Sequence, residues 1–222
     1  MNLDTIRNRP TVLIGFLWSA LVLVSVVATW LARPEWWTWI APEASPARDI
    51  NTAMLLATSG LAGLLWWRRS TDRVVFGLLA VGFLGLAIDE RLAIHERLRD
   101  RVLAPRGVTL PFIPWGEPGD IVLVVVAIAG LAMLRFVLRA IAVDGRALPW
   151  FVAGVALAVT AVALDTLPIE TYQLRNEIYF QSGEEAIELA AAACFLSAML
   201  TVVESRFRRS ASVPDVPLTA SI

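Results

Sequence analysis

Seven carboxylates and one histidine carry most of the chemistry this chain offers. Asp89, Glu90 and Glu96 lie around the end of one long apolar stretch, and Asp165 lies near the end of another. Glu184, Glu185 and Glu188 open a third, and His95, the only histidine, precedes Glu96. A charge in hydrocarbon costs about 2.5–3.5 kcal/mol or more unless it is paired, so ionisable groups there mark working sites. Carboxylates crowded into a poorly solvated pocket repel one another and need protons, arginines or a metal ion to coexist. Carboxylates from separate helices with one histidine form a ligand set for a divalent metal ion, Zn²⁺, Mn²⁺ or Fe²⁺. Asp89, His95, Glu96, Asp165, Glu185 and Glu188 are the candidate ligands. The spacings Glu-x-x-His, His-x-x-x-His and Cys-x-x-Cys are absent.

Helical geometry sorts these residues further. Read as one continuous helix, the third stretch puts Asp89, Glu96 and Asp100 within about 40° of each other. Glu90 and Arg97 then share a second face, and Arg91, His95 and Arg99 a third. Ser182 is placed to cap the last helix, with Glu184 and Glu185 in its first turn beside the positive end of the dipole. Capping does not account for Glu188, one turn deeper. Arg48 and Asp49 enter from the second stretch. The competing reading is a helix-to-helix ion-pair network using Arg91, Arg97, Arg99 and Arg175.

The elements that must position these groups are apolar and long. The chain has 222 residues, 57% of them hydrophobic, and a mean hydropathy of +0.66. Soluble domains average about 45–50% apolar. Six stretches approach the ~20 residues that a crossing helix needs, at residues 11–31, 50–67, 73–94, 119–141, 148–168 and 186–203. The expectation is an all-α polytopic membrane protein, a bundle of six transmembrane helices in one domain over residues 1–209. A disordered cytoplasmic tail follows over 210–222. The apolar core of 11–31 exceeds the 7–15 residues of a cleaved signal, so it counts as the first span.

Composition removes several chemistries. Every basic residue is arginine, so there is no Schiff-base lysine and no retinal. One histidine excludes a bis-histidine haem within the chain. Cys194 is alone and forms no internal disulfide. No glycine-rich phosphate loop is present, and nucleic acid is not an expected partner. Membrane lipids are, along with a homo-oligomer or a larger membrane complex.

Charge sets the orientation. Eleven of the 19 arginines fall on the side of the termini, which places both termini in the cytoplasm of a bacterial inner membrane. Fifteen of the 20 acidic residues fall on the other side. Trp30, Trp36, Trp37, Trp39 and Trp115 mark the outer interface, and Trp66, Trp67 and Trp150 the inner one. The Trp36–Trp39 segment reads as an aromatic anchor along the outer surface.

The motifs Ile88-Asp-Glu, Ala93-Ile-His-Glu, the region from Leu164-Asp to Ile169-Glu, and Gly183-Glu-Glu-Ala-Ile-Glu-Leu resemble a family of small bacterial multi-pass membrane proteins with no established activity. The resemblance covers residues 75–203. Membrane hydrolases of the alkaline ceramidase type use three histidines for zinc, which this chain lacks. Three functions fit these features. One is a membrane enzyme acting on a lipid-type substrate through a metal-activated water. The others are a non-catalytic subunit of a membrane complex and a cation or proton transporter.

Overall fold

The computed structural model describes residues 9–41, 45–68, 71–108, 121–143, 145–165 and 174–211. The expected tail lies outside the described residues, apart from its first two positions, which continue a helix. Helices α1 (Arg9–Leu31), α2 (Pro46–Trp67), α3 (Arg73–Leu92), α4 (Ile94–Leu98), α5 (Ile121–Ala142), α6 (Ala147–Asp165) and α7 (Leu174–Ala211) follow in order. Among the described residues there is no strand.

Five helical segments are long and apolar enough to cross a membrane: Pro10–Leu31, Pro46–Trp67, Val124–Ala142, Ala147–Leu164 and Glu177–Arg209. Helix α3 has 20 residues, enough to span at 1.5 Å each. It stands apart from those five because Asp89, Glu90 and Arg91 crowd its last turn.

Two helix starts differ from the hydropathy reading. Helix α2 begins at Pro46 rather than near residue 50, because Ser45 caps it. The Ser45 hydroxyl accepts the Arg48 amide at 3.2 Å, and Pro46 sits in the first turn, where its missing N–H costs nothing. Helix α7 begins at Leu174 rather than 186. Ser182 therefore lies inside the helix, its cap role is overturned, and Glu184 and Glu185 gain nothing from a helix end. At 38 residues, α7 is about 57 Å long.

Each central helix buries a stripe at i, i+3, i+4, i+7 spacing. In α2 the stripe runs Arg48, Asn51, Leu55, Thr58, Ala62, Leu65, and in α3 it includes Phe76, Phe83 and Ala87. In α7 residues 191–199 are all buried. Helices α2, α3, α6 and α7 pack through these stripes, with α1 and α5 at the edge. The Phe195 ring of α7 sits 5.2 Å from Phe83 and 5.4 Å from Phe151 of α6. Gly154 permits this contact, since a Cβ there would lie 2.9 Å from the Phe195 ring.

Polar contacts fix the helices at two further levels. The Trp18 indole of α1 stacks on Trp150 at 5.8 Å and donates to the Ser197 hydroxyl at 3.2 Å. At the far end, Arg206 of α7 donates to Asp72 at 2.9 Å and to the Ala140 carbonyl at 3.1 Å. Trp39 is buried against Ile40 and Ala47 rather than lying along the surface, so part of the expected anchor is a small core of its own.

Candidate functional site

The three central stripes end in polar residues at the same level. Helix α2 contributes Arg48 and Asn51 from its first turns, α3 contributes Glu90 from its last turn, and α7 contributes Glu185 and Glu188. Glu90 continues the α3 stripe, three residues beyond Ala87 and seven beyond Phe83. The apolar core is thus closed at one end by a polar layer.

Arg48 is the hub of that layer. Arg48 is 9% exposed, and its guanidinium lies 3.1 Å from Glu96, 3.5 Å from Glu90 and 3.8 Å from Glu185. Glu90, Glu185 and Glu188 each place one carboxylate oxygen within 4.8 Å of the other two. Among the described residues, no arginine pairs with Glu188. Among the described residues one guanidinium stands against four glutamates, a deficit of positive charge that protons or a bound cation would balance.

Neutral oxygens stand in the same layer. Asn51 is 4% exposed and its amide group hydrogen-bonds Glu90, while its Oδ1 has no hydrogen-bond partner. The hydroxyls of Thr52 and of Ser182, one turn before Glu185, are also buried without a partner. An unmade hydrogen bond costs about 1–3 kcal/mol for a buried polar group.

Asp89 and His95 form a separate unit. The continuous helix expected across residues 89–100 breaks at Ala93, whose φ of 46° is left-handed. That conformation costs a non-glycine residue about 1–2 kcal/mol. Asp89 offsets it by accepting the His95 amide at 2.8 Å and the His95 Nδ1 at 2.5 Å. The expected stripe of Asp89, Glu96 and Asp100 is overturned by this break. Asp100 turns outward to pair with Arg99 at 3.1 Å. The His95 Nε2 stands 4.0 Å from Glu96.

Of the candidate ligands, Glu185 and Glu188 come together, Glu96 joins them through Arg48, and Asp89 and His95 hold each other. The side chain of Asp165 lies outside the described residues, as does that of Arg175. Arg91 pairs with Asp49 on the exposed rim at 3.6 Å. Glu90 and Asn51 complete the layer although the sequence reading left them out of the candidate set. The signal for Glu90 was its seven-residue spacing from Phe83, and for Asn51 its place three residues after Arg48.

No curated protein and no solved structure matches the chain significantly. A family described as a domain of unknown function, DUF8692, matches residues 8–203. With an apolar helical bundle, a carboxylate layer at its end and a match over most of its length, the chain belongs to the DUF8692 family.

Proposed function

We propose that this is a bacterial inner-membrane protein of six spans, α3 being the sixth, with both termini cytoplasmic. Its working part is a divalent-cation site in the outer half of the bundle, serving a membrane enzyme that acts on a lipid-type substrate. One observation carries the reading: three glutamate oxygens within 4.8 Å of one another beside the partnerless, buried Asn51 oxygen. These donors are all oxygen, which among Zn²⁺, Mn²⁺ and Fe²⁺ suits Mn²⁺ best.

In this reading Glu90, Glu185 and Glu188 hold the ion, and Asn51 adds a neutral donor. A bound divalent ion supplies an activated water. Arg48 offsets the remaining charge through Glu96. His95, with Nδ1 tied to Asp89, presents Nε2 as the proton acceptor. Beneath the layer the core is Met54, Leu55, Phe83, Ala87 and Phe195. That apolar floor favours a site served from one side over a transport path.

Metal analysis of the purified protein tests the proposal. About one equivalent of metal is expected in the wild type, and none in Glu90→Gln or Glu188→Gln. A wild type without metal, beside folded and stable variants, would overturn it and leave the non-catalytic subunit as the better reading.

A further inference from the structure

Beyond the break at Ala93 the chain stays helical for a short way. Helix α4 runs on into a wide π turn over Arg99–Leu103 and a tighter turn over Ala104–Arg106. Gly107, with a left-handed φ of 63°, ends the run. One side of α4 serves the carboxylate layer, since Glu96 reaches Arg48 and His95 reaches Asp89. The other side is open. Ile94 is 45% and Leu98 37% exposed, and residues four apart share a helix face. Arg97 and Arg101, both exposed, make a second stripe of the same spacing beside the first.

The charges on this run are unbalanced. Residues 91–106 hold five arginines against two acidic residues, Glu96 and Asp100. Arg91 pairs with Asp49 and Arg99 with Asp100, and Glu96 is engaged by Arg48. Arg106 donates to the Val102 carbonyl at 2.9 Å, a neutral acceptor that leaves its charge in place. Among the described residues, none forms an ion pair with Arg97, Arg101 or Arg106. A face turned only to water would account for these arginines but not for the aliphatic side chains beside them. Leu92, the last residue of α3, is 47% exposed as well. Exposed aliphatic residues beside unpaired guanidinium groups, at the end of a crossing helix, suit a segment lying in the plane of a membrane interface. Guanidinium forks match phosphate oxygens in a bidentate way.

We propose that the run Ile94–Arg106 docks onto anionic phospholipid, with Ile94 and Leu98 among the upper acyl carbons and Arg97, Arg101 and Arg106 on the headgroup phosphates. The inference rests on α3 being a span, as proposed above, and not on the carboxylate layer binding a cation. Because α4 also carries His95 and Glu96, a docked segment holds anionic headgroups at the edge of that layer. Arginines that served only to set orientation would be interchangeable with those on the exposed face of α5, and the test uses that contrast.

The full chain is reconstituted in nanodiscs of phosphatidylcholine alone, or of phosphatidylcholine and phosphatidylglycerol in equal parts, and amide hydrogen exchange is read by mass spectrometry. Exchange across residues 94–103 is slower in the mixed discs. Arg97→Gln and Arg101→Gln each reduce that slowing about fivefold, while Arg135→Gln and Arg139→Gln on α5 leave it unchanged. Leu98→Ser, with every arginine kept, also reduces it. All these positions are exposed, so the variants keep the fold. Equal exchange in the two discs, with α3 slow in both, would overturn the proposal and leave the span standing. Slowing that survives the double variant of Arg97 and Arg101 would overturn it too. Soluble glycerophosphate added to the phosphatidylcholine discs names the source: no slowing supports a lipid surface, and slowing would make the ligand a free phosphate and overturn the docking.

Discussion

The Asp89 carboxylate closes on His95, six residues further along, with one oxygen on the backbone N–H at 2.8 Å and the other on Nδ1 at 2.5 Å. It thereby replaces the cap that Ala93, without a side-chain acceptor, fails to provide for α4. Asp89→Ala should lower stability by about 1–2 kcal/mol, the usual cost of losing a cap acceptor. Asp89→Asn keeps an acceptor for the amide and should cost less. Thermal melts of the two variants in detergent check this, and equal melting temperatures would show that Asp89 does not cap α4.

Arg48 is the one buried cation of the layer among the described residues. Arg48→Met should destabilise the protein by about 3–5 kcal/mol, because the glutamates lose their partner. Added Mn²⁺ should then raise the melting temperature of Arg48→Met more than that of the wild type. A larger shift in the wild type would mean that Arg48 and the ion do not offset the same charge.

Glu188→Gln removes one charge from a trio whose oxygens lie within 4.8 Å of each other. Like charges at that range repel, so at a pH alkaline enough to ionise the trio the metal-free variant should melt higher than the metal-free wild type. The same variant should lose the stabilisation by Mn²⁺. Melts with and without chelator read both effects, and a lower melting temperature for the metal-free variant would count against a repulsive trio.

Gly154→Ala should destabilise the bundle by about 1–3 kcal/mol, the usual range for overpacking. Its Cβ would meet the Phe195 ring at 2.9 Å. Phe195→Leu in the same chain should recover part of the loss. Additive losses in the double variant would show that the two positions do not share one contact.

Much of this arrangement was legible because it follows hydropathy and charge. The apolar stretches, the polar end of the bundle and the pair Glu185–Glu188 are readable from residue types alone. Glu90 was misplaced because the angular reading began from Asp89 rather than from the buried phenylalanines that fix the α3 face. The break at Ala93 has no signal in composition, since alanine is the best helix former and the Asp89–His95 closure that stabilises its left-handed turn is a tertiary-scale contact between α3 and α4. Ser45 and Pro46 do carry a start signal for α2, but Arg48, Asp49 and Asn51 depress the hydropathy there and hide it. At α7 the error ran the other way: Gly183 and the glutamates look like a boundary, yet the helix continues through them.

The length of α7 sets how deep the carboxylate layer lies. Glu185 and Arg206 are 21 residues apart on one helix, about 31 Å by its rise, against a hydrocarbon thickness of about 30 Å. The two charges act as a gauge matched to the membrane, with the remaining turns of α7 left to the headgroups and water. Hydrophobic matching then holds the glutamates at the rim of the oily slab, where, in the function proposed above, a cation would reach them from the aqueous side without entering hydrocarbon. A thinner bilayer would tilt the rod or expose the rim, so membrane thickness itself becomes a control on access to Glu185 and Glu188.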